Sequence, residues 1–154
     1  MGEKIKAYMM VGLPGAGKDT WIKENLPEDI CIVGRDEERA RLGFGDEDNK
    51  MPGDLKDEVL IVQEWRKRMV QCAKECKNFV INDINIMQKG RKFIKGLLKD
   101  YEIYWTYVVV TTSDINVNKK RRKGQLDPEF IESAAESYQP PTPDEYDEII
   151  YVNT

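Results

Sequence analysis

Histidine is absent from this 154-residue chain. That removes Ser-His-Asp and Cys-His nucleophilic chemistry and most zinc enzymes. Any general base must then be Asp, Glu, Lys, Tyr or Cys. Cysteine is scarce: Cys31, Cys72 and Cys76 are an odd set that cannot pair completely. Cys72 and Cys76 lie one helical turn apart in an amphipathic stretch. With no other Cys pair nearby, they read as reduced thiols and not as metal ligands. No apolar run is long enough to span a membrane, and the opening "MGEKIKAYMMVG" has no signal-peptide layout. Gly2 is followed by "EKIKA", without the hydroxyl residue of a myristoylation signal. The expectation is a cytoplasmic protein with no membrane association and no evident obligate protein partner.

The charge balance is acidic, −4 overall, which argues against a generally basic nucleic-acid binder. The distribution is uneven. Residues 89–99 hold Lys89, Arg91, Lys92, Lys95 and Lys99 without an acid, and residues 119–123 are all basic. Residues 124–154 carry eight acids and no base. Local positive patches on an acidic chain suit a compact anionic ligand or a short nucleic-acid end better than a long duplex.

Strand and helix signals alternate along the chain. "IKAYMMVG" reads as a strand ending in a Gly-rich turn, and residues 17–25 as a helix start. "DICIVG" reads as a second strand, and residues 43–54 as a loop. Asp54 is positioned to cap a long helix whose apolar positions run Leu55, Val59, Val62, Trp65, Met69, Ala73, Cys76. "NFVIND" follows as a third strand. A basic helix over 88–99 should bury Phe93, Ile94, Leu97 and Leu98 and leave its charges as a solvated face. "IYWTYVVVT" is apolar on both faces and should be an interior strand. Asp127 and Pro128 mark a helix start, and "EIIYV" reads as a fifth strand. Trp21, Trp65 and Trp105 fit core or half-buried positions. No linker divides the chain, so residues 1–154 read as one α/β domain. The alternation predicts a five-stranded parallel sheet with helices on both faces and ligands at the strands' carboxyl ends.

Three segments bring chemistry to that rim. "GLPGAGKDTW" has Gly12, Gly17 and Lys18 of a phosphate loop, placed between a strand and a helix as such a loop requires. Backbone N–H groups turned inward, the Lys18 charge and the helix dipole would together hold phosphate. Asp19 stands where a hydroxyl should hold magnesium, with Thr20 after it. In the second segment, "VGRDEERARLG", Arg35 and Asp36 follow strand two. Arg39 lies three residues on, sharing a face if a helix begins there. Asp36 could take a proton from an attacking hydroxyl, and an Arg could hold an anionic acceptor. The competing reading is a solvated Asp–Arg pair. The third segment ends strand three with Asp83, either a magnesium ligand or a helix cap.

"GLPGAGKDTW", "GRDEERAR", "VINDIN" and "NKKRRKG", in that order, resemble the kinase domain of bacteriophage polynucleotide kinase and its relatives. These phosphate-loop kinases move the γ-phosphate of ATP to a 5′-hydroxyl of DNA or RNA. The resemblance implies a sheet order of 2-3-1-4-5 and a short basic lid. It implies ATP and Mg²⁺ as cofactors, and a loop of Gly12, Gly15, Ala16, Gly17, Lys18, Asp19 and Thr20 around the phosphates. Asp36 becomes the general base. Arg35, Arg39, Asp83 and Asn85 become acceptor-side residues, and Asp83 a metal ligand. Asp19 departs from the family's usual Ser; a hard-oxygen carboxylate at a helix start, it is expected to hold Mg²⁺ directly or through water. The lid arginine falls among Arg121, Arg122 and Lys123; Arg122 is favoured because a guanidinium fork suits phosphate. The Pro-containing stretch 137–146 either borders the adenine or is a rigid loop. A small-molecule kinase on the same scaffold and a non-catalytic nucleotide-binding module are the alternatives.

Overall fold

The apolar strands and amphipathic helices assemble in a computed structural model that describes residues 4–44 and 55–154. Gly2, most of the 43–54 loop and the Asp54 cap lie outside the described residues. Strands β1 (Ile5–Val11), β2 (Cys31–Val33), β3 (Phe79–Ile81), β4 (Ile103–Thr111) and β5 (Glu148–Asn153) form one sheet of order β2-β3-β1-β4-β5. Every pairing is parallel; Ala7, for example, sits between Phe79 and Trp105. The chain leaves β1 toward β2 and later crosses to β4 on the other side. That reversal puts the topological switch at the carboxyl end of β1, where ligands of open α/β sheets bind.

Alternating side chains of the strands face two apolar layers. Ala7, Met9, Phe79, Ile81, Trp105 and Tyr107 pack with Trp65, Met69 and Cys72 of α3 (Leu55–Lys74) and with Ile94 of α4 (Gln88–Leu97). Met10, Val80, Val108 and Val110 pack with Ile22 of α1 (Lys18–Asn25) on the opposite face. Helices thus cover both faces, as expected. β4 is buried from Trp105 to Val110 and has neighbours on both sides. α2 (Arg35–Leu42) begins directly after β2, so Asp36 and Arg39 do share a helix. Asp127 caps α6 (Pro128–Ser137), its carboxylate accepting the Glu129 N–H at 2.9 Å. Among the described residues no helix is long and apolar enough to cross a membrane.

Two expectations are corrected. Cys72 is not the reduced thiol expected, since its sulfur meets that of Cys31 between β2 and α3; Cys76 is free and exposed. On α4, Phe93 is 45% exposed whereas Arg91 is 0% exposed. Arg91 is drawn inward by Glu145, with Nε 2.8 Å from Oε1, because a buried guanidinium needs a carboxylate partner. The basic run starts on a helix: Lys119, Lys120 and Arg121 belong to α5 (Ile115–Arg121), capped by Asp114.

Candidate functional site

The turn after β1 is shaped by two left-handed glycines, Gly15 at φ +79° and Gly17 at φ +105°, a conformation that L side chains rarely adopt. Gly12 is tied to the neighbouring strand end by its N–H to the Ile84 carbonyl at 2.9 Å, and Ala16 is buried. α1 starts at Lys18 with Gly17 as its N-cap and no side-chain cap. The first-turn N–H groups therefore lack a side-chain acceptor, a ready anion site. Lys18 Nζ donates to the carbonyls of Gly12 (2.8 Å) and Leu13 (2.9 Å). Desolvation lowers its pKa to about 8, with Arg122 contributing in the same direction and Asp19, Asp83 and Asp36 opposing it. These charges therefore share one site.

The basic run divides its labour. Arg121 donates to the carbonyls of Gly15 (3.1 Å) and Ala16 (3.3 Å) and to the Thr154 hydroxyl (3.0 Å), bracing the loop from behind. Lys119 pairs with Glu132 on α6. Arg122 caps α5 with its stem against Gly15, and its Nε is buried without a hydrogen-bond partner. An orphaned buried donor beside a phosphate loop is the feature an anionic ligand would satisfy.

Across the rim, Arg39 bridges two carboxylates. It meets Asp36 at 2.5 Å and Glu58 of α3 at 2.8 Å. Arg35 is exposed, with its guanidinium 5.0 Å from the centre of the Trp65 ring. Asp83 accepts the Arg35 backbone N–H and the Trp65 indole N–H, each at 2.9 Å, and burial raises its pKa. Asn85, at φ +47°, donates to the Met10 carbonyl at 2.7 Å and so fixes the β3–β1 corner.

Three site members, Asn82, Glu37 and Asn118, were not singled out from the sequence. Asn82 donates one amide group to both Asp19 (2.7 Å) and Glu37 (2.8 Å), joining the phosphate-loop helix to α2. Glu37 fits only because residue 34 is glycine: a Cβ there would lie 2.0 Å from Glu37 Oε2. That oxygen is buried without a partner, and burial raises the Glu37 pKa. Asn118, buried in α5, donates to the Pro14 carbonyl at 3.0 Å. Asn82 adjoins Asp83 in "VINDIN" and was within reach of sequence reading. Asn118 was not, because only packing brings it under the loop.

The donors suit a nucleoside triphosphate with magnesium. Among the described residues no three Asp, Glu or Cys side chains form a metal cluster by themselves. Mg²⁺ commonly takes one or two carboxylates and completes its shell with substrate phosphates and water. Exposed Asp19 and Thr20 offer hard oxygens at the helix start, whereas both Asp83 oxygens already accept protein donors.

The sheet order, the glycine turn with its lysine and the acids at neighbouring strand ends define a phosphate-loop kinase fold. A family model described as an AAA domain matches residues 8–141, and the chain belongs to that family. It is similar to human heterogeneous nuclear ribonucleoprotein U-like protein 2, at 29% identity over 163 residues, covering 97% of this chain and 22% of that protein. The chain thus spans about a fifth of the length of the curated relatives it matches. Among solved structures it resembles a chain of the Pnkp1/Rnl/Hen1 RNA repair complex (TM-score 0.71, 20% identity, 89% of this chain and 45% of that one). It also resembles the Mycobacterium tuberculosis APS kinase CysC in complex with AMPPNP and APS (TM-score 0.59, 17% identity, 97% and 90%). The resemblance to polynucleotide-kinase-like phosphate-loop kinases therefore holds at the level of fold.

Proposed function

We propose that this domain is an ATP-dependent phosphotransferase that moves the γ-phosphate of ATP to the 5′-hydroxyl end of DNA or RNA. The observation that carries the reading is Arg122. Its buried, unpartnered Nε lies beside Gly15, within electrostatic reach of Lys18 and across the rim from Asp36. The likeness to a chain of an RNA repair complex and the identity to a ribonucleoprotein support a nucleic-acid acceptor.

On this reading Asp36 accepts the proton of the acceptor hydroxyl as that oxygen attacks the γ-phosphorus. The bond from that phosphorus to the β–γ bridging oxygen breaks, ADP leaves, and Asp36 later returns the proton to water. Arg39 aims the Asp36 carboxylate. Lys18 moves from its carbonyl contacts to the β- and γ-phosphate oxygens, and Arg122 meets the charge that develops on the transferred group. Arg35 holds the acceptor's own phosphate, while Asp83 and Asn85 keep Arg35 and the β3 corner in place. Magnesium would neutralise phosphate charge when bound; Asp19 and Thr20, with Asp83 acting through a water, would hold it.

A second reading, a small-molecule kinase, is favoured by one observation. Arg39, expected to grip an acceptor phosphate, already spends its fork on Asp36 and Glu58. Labelled ATP offered to a 5′-hydroxyl oligonucleotide and to a nucleoside and sugar panel separates the two. Oligonucleotide labelling abolished by Asp36→Ala is expected. Labelling of small acceptors alone supports the second reading, and ATP binding without transfer supports a non-catalytic module. Asp19→Ser should shift the magnesium dependence of ATP binding; an unchanged dependence removes Asp19 as a metal ligand.

A further inference from the structure

Away from the loop, α3 and α4 hold a run of rings and cations in which Trp65 is buried and Phe93 is exposed. Arg35 lies over Trp65. Trp65 is stacked parallel to Phe93, with an interplanar angle of 6° and centroids 6.5 Å apart. Arg66 lies over Phe93, 5.4 Å from its centre. The run begins beside the proposed acceptor rim and ends at a groove of about 440 Å³ lined by Arg66, Lys67, Val70, Gln71, Lys74 and Leu97. Three of those six residues are cations and none is an acid, although Lys67 lies 3.4 Å from Glu64 one turn back on α3. Phe93 is 45% exposed, whereas on the same helix Ile94 is 1% exposed and Leu97 is half-buried.

We infer that this α3–α4 face is a track for single-stranded nucleic acid, with Phe93 as a base-stacking platform and Arg66, Lys67 and Lys74 as phosphate contacts. For its catalytic consequence the inference rests on the polynucleotide reading, since the track would hold the body of the strand whose 5′ end reaches Arg35. The chemistry fits. An exposed ring with a guanidinium over it offers stacking surfaces for bases without sequence preference, and a basic groove follows the backbone. On an acidic chain this local positive face is complementary to a polyanion. A bilayer is the poorer occupant, because the apolar side chains α4 leaves open beside the groove, Phe93 and the half-buried Leu97, stand among cations and make no broad apolar face for lipid.

The test is fluorescence anisotropy with a labelled single strand of about 12 nucleotides, read as a function of salt. Phe93→Ala, Phe93→Leu and Arg66→Ala should each weaken binding about tenfold. Lys67→Ala/Lys74→Ala should make the log K against log salt slope shallower by about 1.4, at ~0.7 per cation on a single strand. All four positions are exposed, so urea melts should match the parent. If Phe93→Ala does not fold, Phe93→Leu and Arg66→Ala decide. In transfer assays the same variants should raise KM about tenfold for the long strand, leaving kcat and a dinucleotide acceptor unchanged. Variant-sensitive binding without any transfer upholds the track and removes the kinase reading. Transfer with KM and affinity unmoved by the variants upholds the kinase and overturns the track. Tighter, Phe93-dependent binding of a polyglutamate peptide or of anionic vesicles also overturns it.

Discussion

Lys18 faces the carbonyl oxygens of Gly12 and Leu13 in a desolvated slot that lowers its pKa from 10.5 to about 8. A lowered lysine pKa means that folding disfavours the charged form, so this group's contribution to stability rises with pH between about 8 and 10.5. Phosphate binding has the opposite sign, because it requires the ammonium. ATP affinity should fall as pH rises through about 8, and binding above that pH should take up a proton. Calorimetry in two buffers of different ionisation enthalpy at alkaline pH measures the uptake; none detected would remove Lys18 as the titrating group. Asp36 gives the second prediction at this scale. Asp36→Asn keeps an acceptor for Arg39 but cannot take a proton, so kcat should fall by about 10²–10⁴ with KM for ATP little changed. Steady-state labelling checks it, and an equal loss in KM alone would assign Asp36 to binding.

At the scale of elements, the junction between β2 and α2 depends on Gly34. Gly34→Ala would set a methyl 2.0 Å from Glu37 Oε2 and 2.7 Å from the Asn82 carbonyl. The Glu37 carboxylate must swing out, and Asn82 then loses one acceptor and holds Asp19 less firmly. We expect a loss of about 1–3 kcal/mol in urea unfolding together with weaker magnesium dependence; a wild-type melt would show that Glu37 is not held there. This junction marks the reach of sequence reading. The glycine turn, the Asp127–Pro128 start and α2 were legible because local conformational preference dictates them. α5 was missed although its cap is local, Asp114 accepting the Asn116 N–H; its buried Asn118 gains meaning only against Pro14 of the distant loop. Phe93 and Arg91 exchanged their expected places. Helical spacing sets Arg91 on the inward stripe of Ile94 and Leu98, three and seven residues on, and turns Phe93 to the far side; Glu145 supplies the partner that lets a guanidinium stay there.

For the whole molecule, the Arg91–Glu145 pair ties α4 to the turn that precedes β5. Arg91 also donates to the Asn85 carbonyl at 3.0 Å, and Lys95 donates to the Glu145 carbonyl. Residues 137–146 are thus anchored on α4: Gln139 donates its N–H to Ile86 and accepts from the Gln88 N–H. Burial works to raise the Glu145 pKa, but the hydrogen bonds from Arg91 and Thr142 and the Arg91 charge lower it overall. This contribution is therefore present above the ordinary carboxylate range and lost as pH falls through the lowered value. Arg91→Met, which strands a buried carboxylate, should cost about 3–5 kcal/mol. Arg91→Met/Glu145→Leu should recover most of it; chemical denaturation of both variants decides, and equal losses would show that the pair is not coupled. By itself the sequence determined the parallel α/β class, the five strands, the phosphate turn with Lys18 and the place of Asp36 after strand two, because periodicity and turn chemistry are local; Arg122 became a candidate through the family resemblance. Tertiary structure alone decided that Arg121 braces the loop while Arg122 faces the slot, that Asn82 and Glu37 share the rim with Asp19, and that Arg91 is core. Those outcomes depend on which side chains meet across distant segments, and burial then selects the partner that satisfies each charge.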